Sequence, residues 1–109
     1  VYKSEIIYTG QTLQSHNRTY TLALQNDGNL VLYAPSRAVW ASNTVGSNAQ
    51  KLVMQPDGNL VLYSKNGVAL WSSNTAGKGT SAFYVQKDGN LVIYNTTGHT
   101  WSSGTSGRL

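Results

Sequence analysis

Five residue types recur at a fixed spacing in this 109-residue chain. Gln25, Asp27, Asn29, Val31 and Tyr33 occupy alternate positions. So do Gln55, Asp57, Asn59, Val61 and Tyr63, and again Gln86, Asp88, Asn90, Val92 and Tyr94. Alternate positions of an extended strand share one face. Each row therefore offers a carboxylate acceptor, two amides that donate and accept, a phenol and a small apolar patch. That set suits the vicinal hydroxyls of a pyranose, which also donate and accept. The carboxylate adds a charge-assisted bond, roughly twice as strong as a neutral one. The amides return N–H groups to hydroxyl oxygens, and Val packs against ring C–H groups. The chain has only four acidic residues; three are these Asp and the fourth is Glu5. A surface charged only for solvation would scatter them. Turn and strand preferences account for Asp-Gly and for Tyr. They do not ask for Gln two residues before Asp, Asn two after and Tyr six after, all on one face.

The elements that position these rows are legible from the same repeats. Residues 25–33, 55–63 and 86–94 align in near-register, and Gln25, Gln55 and Gln86 stand 30 and 31 residues apart. Such self-similarity marks a repeat architecture. Each block is followed by a tryptophan block: Trp40-Ala41-Ser42-Asn43-Thr44, Trp71-Ser72-Ser73-Asn74-Thr75 and Trp101-Ser102-Ser103-Gly104-Thr105. Asp-Gly between apolar runs is a hairpin signal, because Gly accepts a positive φ without a Cβ clash. Second turns are expected at Ala34-Pro35-Ser36-Arg37, Lys65-Asn66-Gly67 and Asn95-Thr96-Thr97-Gly98. Leu22, Leu24, Leu30, Leu32, Leu60, Leu62, Leu91 and Ile93 fall on the face opposite the polar row and form the expected core. The three Trp are expected to meet inside, near a symmetry axis. No stretch carries a helical period. The reading is an all-β fold of three small sheets with approximate threefold symmetry, one domain over residues 1–109.

The triplicate motif Gln-x-Asp-x-Asn-x-Val-x-Tyr resembles that of the monocot mannose-binding lectins, the snowdrop bulb agglutinin family. With the tryptophan blocks, the resemblance covers nearly the whole chain. It implies a β-prism II fold, three four-stranded antiparallel sheets around a pseudo-threefold axis. It also implies metal-independent mannose binding at all fifteen motif residues. Asp and Asn would contact O2, Gln O3 and Tyr O4, with Val against the C3–C4 edge. The implied ligands are mannose, high-mannose glycans and mannans, bound multivalently by an agglutinin with a defence role. The implied assembly is a homodimer or higher oligomer, through exchange of a C-terminal strand such as residues 100–109. Plant members typically carry a disulfide at the residue between Asp and Asn of the first motif. Here that residue is Gly28, with Gln50 expected near the partner position, and the chain has no cysteine.

Other classes fit less well. Glycoside hydrolysis usually needs two carboxylates about 5–9.5 Å apart, and each repeat supplies one Asp. His16 and His99 have no evident partner, and no Gly-x-Ser-x-Gly elbow occurs. An enzyme is therefore not expected. Calcium usually takes several carboxylates, so no metal or other cofactor is expected. The net charge of +4 comes from Lys and Arg spread singly along the chain, whereas nucleic-acid binders cluster theirs. No run of about 18 apolar residues exists to insert in a membrane. A secreted or extracellular location is favoured, and the lack of cysteine is compatible with the cytosol as well. The sequons Asn17-Arg18-Thr19 and Asn95-Thr96-Thr97 matter only in a eukaryotic secretory route. The competing reading is a protein-interaction or bacterial-killing module on the same fold, with sugar binding secondary.

Overall fold

The computed structural model describes residues 6–107. Eleven strands run through them: β1 (Ile6–Tyr8), β2 (Thr12–Gln14), β3 (Thr21–Leu24), β4 (Leu30–Tyr33), β5 (Ala38–Ala41), β6 (Ala49–Met54), β7 (Leu60–Ser64), β8 (Ala69–Ser72), β9 (Ala82–Val85), β10 (Leu91–Asn95) and β11 (Gly98–Ser102). Every pairing is antiparallel. The sheets are ordered β2-β3-β4-β5, β1-β6-β7-β8 and β11-β10-β9. The all-β, three-sheet expectation holds, with one correction. The third sheet has three strands, not four, among the described residues.

Two strands come from outside the repeats. β2 completes the first sheet, while β1 crosses to the second and pairs with β6 through Ile6–Val53, Ile7–Leu52 and Tyr8–Lys51. Among the described residues no equivalent segment lies beside β9. Glu5 and Arg108 fall outside the described residues, as does the end of the 100–109 tail. Within the described part of that tail, β11 pairs with β10 of its own chain.

Alternation sorts each strand into two faces. Leu22, Leu24, Leu30, Leu32, Leu60, Leu62, Leu91 and Ile93 are at most 1% exposed and point into one shared core, as expected. Leu52, Met54 and Phe83 join them. Trp40, Trp71 and Trp101 do meet, edge to face, with ring centroids 5.3, 5.6 and 5.5 Å apart. Aromatic pairs of this geometry each add about 0.5–1.5 kcal/mol beyond burial. The rings pack against the core while only partly buried, so the tryptophans close the core and are not its centre. They reach this position because a bulge precedes each one. Leu32 opposes Trp40 but Tyr33 opposes Ala38, leaving Val39 as the extra residue. The same shift recurs before Trp71 and Trp101.

Candidate functional site

Each polar row begins at the first hairpin turn. In the first repeat Gly28 N–H donates to the Gln25 carbonyl at 3.0 Å, and Gln25 N–H donates to the Asn29 carbonyl at 2.9 Å. Gly28 has φ +90, so this is a three-residue loop closed by a glycine bulge. Tight packing reinforces the choice of glycine. A Cβ on Gly28 would lie 2.4 Å from the Ser47 carbonyl oxygen. The three atoms it would meet first all belong to Ser47. A Cβ on Gly58 would lie 2.7 Å from the Gly79 carbonyl oxygen, and on Gly89 it would enter the Tyr20 ring.

The turn fixes Asp at two points. Asp27 Oδ1 accepts the Asn29 backbone N–H at 2.9 Å, with 3.0 Å at the Asp57–Asn59 and Asp88–Asn90 equivalents. The Asp27 and Asp57 backbone carbonyls accept N–H groups from Gly46 and Gly77 at 2.7 and 2.9 Å, and Gly107 does the same for Asp88. Oδ2 remains exposed. It has no hydrogen-bond partner among the described residues in the first two repeats, and in the third it accepts the Ser106 hydroxyl at 2.8 Å.

Asn is fixed by the tryptophan block. Asn29 Oδ1 accepts from Ser42 Oγ at 3.3 Å and from Thr44 N–H at 3.2 Å. Thr44 Oγ1 donates to the Gly28 carbonyl at 2.6 Å, and Ser42 Oγ accepts Leu30 N–H at 3.1 Å. Ser73 and Thr75 hold Asn59 in the same way, and Ser103 and Thr105 hold Asn90. These six hydroxyl residues are the site-building residues that the sequence reading missed, having taken the Trp blocks for core alone. The signal was present as Trp-x-Ser-x-Thr in all three repeats. Between Ser and Thr stand Asn43, Asn74 and Gly104, with φ of 60, 58 and 71. Only Gly and Asn enter this left-handed region readily, which explains the Asn-to-Gly change in the third block.

Gln and Tyr pair across the face. Nε2 of Gln25, Gln55 and Gln86 donates to the phenol oxygen of Tyr33, Tyr63 and Tyr94 respectively, at 2.6 Å in the third repeat. Val31, Val61 and Val92 lie on the same face and outside the main core cluster. Each is only 3% exposed, so Val forms a narrow apolar floor to the row.

The structure thus brings all five members of every row together and uses about half of each polar group internally. Among the described residues no buried side-chain nitrogen or oxygen lacks a partner. The unengaged Asn Nδ2 and Gln Oε1 atoms are therefore open to solvent. With Asp Oδ2 and the Tyr O–H, each face presents an amide donor, an amide acceptor, a carboxylate acceptor and a hydroxyl. No helix among the described residues is long and apolar enough to cross a membrane, and no group of three His, Cys, Asp or Glu gathers to hold a metal. The sequon asparagines organise turns. Asn17 Oδ1 accepts from Ser15 Oγ and Thr19 N–H, and Asn95 Oδ1 accepts from Thr97 and Gly98.

No family model matches the chain. Solved structures do. A monomeric monocot mannose-binding lectin from Gastrodia elata is 42% identical, with a TM-score of 0.87 over 97% of this chain and 96% of that one. The mannose-specific agglutinin of snowdrop (Galanthus nivalis), solved with methyl α-D-mannoside, is 40% identical, with a TM-score of 0.80 over 96% and 94%. A domain-swapped lectin dimer from Mycobacterium smegmatis is 42% identical, with a TM-score of 0.59 over 94% and 95%. Curated sequences match over shorter stretches. Curculin-2 of Molineria latifolia is 45% identical over 49 residues, which are 41% of this chain and 31% of that protein. The mannose-specific lectin of Narcissus pseudonarcissus is 43% identical over 45 residues, 38% of this chain and 41% of that protein. The matched stretches thus span less than half the length of these curated relatives. With 40% identity or more over nearly the full length of two lectin structures, the chain belongs to the monocot mannose-binding lectin family, with its β-prism II fold.

Proposed function

We propose that residues 1–109 act as one bulb-type lectin unit, a metal-independent, non-enzymatic receptor for mannose with one pocket on each sheet. The observation that carries this reading is the divided use of each polar group. Asp spends Oδ1 on its turn and keeps Oδ2, which in the third repeat also accepts from Ser106, and Asn spends Oδ1 on the Trp block and keeps Nδ2. Gln spends Nε2 on Tyr and keeps Oε1. The internal bonds preorganise the free atoms, so little ordering cost is left for binding. In this reading Asp and Asn grip O2, Gln O3 and Tyr O4, over the Val floor. The snowdrop agglutinin, solved with methyl α-D-mannoside, supports the sugar class.

One shallow pocket with one hexose binds at around the millimolar level, about −4 kcal/mol. Three pockets on three sheets raise avidity about 10²–10⁴-fold when one glycan surface engages several. The targets are accordingly high-mannose glycans and mannans, and the activity is cross-linking of mannose-bearing surfaces, consistent with defence. A glycan array with the intact chain tests this. Retention on mannose-terminated glycans is expected, and their absence among the bound spots would sink the reading.

Self-association is part of the proposal. β9 is an edge strand among the described residues, in the one sheet that lacks a fourth member. Open edges are templates for pairing with another chain. A second copy supplies the missing strand, and a C-terminal strand is the segment most readily exchanged. The domain-swapped Mycobacterium smegmatis lectin supports this, while the Gastrodia lectin is monomeric. Sedimentation velocity decides: a dimer or larger species is expected, and a monomer at all concentrations removes this part.

A further inference from the structure

The three faces are alike along the central strand and differ beside it. Each Val of the motif has one cross-strand neighbour on the preceding strand: Ala23 for Val31, Val53 for Val61 and Tyr84 for Val92. Tyr84 is 38% exposed on the outer face, and its ring lies 5.9 Å from that of Tyr94, tilted by 59°. The third face therefore carries an aromatic wall where the other two carry small aliphatic side chains.

That wall borders an open surface depression. A depression of ≈ 460 Å³ runs past Tyr84 along Gln86 and Asp88 and ends at His16. It shares Gln86 and Asp88 with the proposed mannose pocket. His16 comes from the first sheet, on a loop tied to the third turn by the Asn17 Nδ2 donation to the Lys87 carbonyl at 3.4 Å. The first face has the corresponding cleft, also ≈ 460 Å³, along Gln25 and Asp27, but its wall is Ala23 with Thr12 of β2 beyond. The same space thus occurs twice, once with an aromatic ring and once without.

Resting on the mannose reading above, we infer that the third pocket is an extended site. Its class of ligand is a mannoside of two or more residues, with the second hexose stacked on Tyr84 and within reach of His16. A pyranose presents a face of axial C–H groups. A Tyr ring offers an apolar surface with a polar tip, the combination that suits ligands both greasy and hydroxylated. Ser106 extends the polar side of the same pocket. Its bond to Asp88 Oδ2 leaves that oxygen a second lone pair for a sugar hydroxyl. Val45 and Ala76 stand at the equivalent positions of the other repeats and donate nothing. A strand paired along the β9 edge would stand where β2 stands in the first sheet, beside which the corresponding depression is present.

The test isolates the third pocket in the full chain carrying Asp27→Asn and Asp57→Asn. Calorimetry then compares methyl α-mannoside with a panel of α-linked dimannosides. Affinity for at least one dimannoside is expected to exceed that for the monosaccharide by about 3–10-fold, the scale of one aromatic contact. A first-pocket chain, with Asp57→Asn and Asp88→Asn, should show a ratio near one for the same sugar. Tyr84→Ala in the third-pocket chain should bring its ratio down to the first-pocket value, and Tyr84→Phe should keep it. Bound dimannoside should show upfield shifts of C–H protons on its second residue, from the ring current of Tyr84. Equal ratios in the two chains, or a ratio that survives Tyr84→Ala, overturn the extended site while leaving the mannose reading intact. Failure of methyl α-mannoside to bind either chain overturns both.

Discussion

Thr44 donates its backbone N–H to Asn29 Oδ1 at 3.2 Å, across a sequence separation of 15 residues. Two further bonds of this kind, Thr75 to Asn59 and Thr105 to Asn90, are also 3.2 Å long. Through them the tryptophan block that closes the core also orients the amide that faces solvent. Core closure and the geometry of the proposed site are thereby coupled at one side chain.

Asn is for that reason the wrong residue to delete in a binding assay. Asn29→Ala orphans Thr44 N–H and removes an acceptor for Ser42, at a cost of about 1–3 kcal/mol. Asn29→Asp keeps the acceptor and exchanges only the outward donor for an acceptor. Thermal melts should show a clear fall for the Ala variant and a smaller one for Asp, with both losing the first mannose site. Equal melting points for the wild type and the Ala variant would show that the Ser-Thr network carries no stability.

The Asp position separates the two roles more cleanly. Asp27→Asn, Asp57→Asn and Asp88→Asn together retain an oxygen for the turn bond to the following backbone N–H and lose the charge presented to the ligand. A hydrogen bond to a charged group contributes about 1.5–3 kcal/mol, so affinity per pocket should fall about 10–150-fold. Circular dichroism should remain that of the parent. Mannan binding at parental strength would remove Asp from the proposed site.

Tyr tests the O4 contact. Tyr33→Phe, Tyr63→Phe and Tyr94→Phe together delete the hydroxyl that each Gln Nε2 addresses. A loss of about 0.5–1.5 kcal/mol per pocket is expected, read by calorimetry with methyl α-mannoside. Unchanged affinity would leave Tyr as no more than a support for Gln.

Ions provide a fourth check. Each face holds one Asp, and the three lie on different sheets. Calcium sites usually take six to eight oxygens, several of them carboxylates. Mannan binding should survive exhaustive EDTA dialysis. It should also survive high salt, whereas a nucleic-acid complex would weaken steeply. Loss of sugar binding in EDTA would overturn the metal-independent mechanism.

The chain by itself determined what short-range chemistry controls. Asp-Gly specified the turns, alternation sorted Leu22, Leu24 and their equivalents from the polar row, and triplication announced three matching sheets. Only the tertiary structure decided where the unrepeated strands go. β1 belongs to the second sheet and β2 to the first, while β9 stays an edge among the described residues. Pairing between distant strands is set by which edge is free and which apolar side chain, such as Ile7 against Leu52, closes the core there. No local pattern encodes that choice. The orientation of Asn29 by Ser42 and Thr44, and the place of Tyr84 beside Val92, likewise depend on chain segments meeting across a sheet. The residues were readable one repeat at a time, but their partners exist only once the strands have paired.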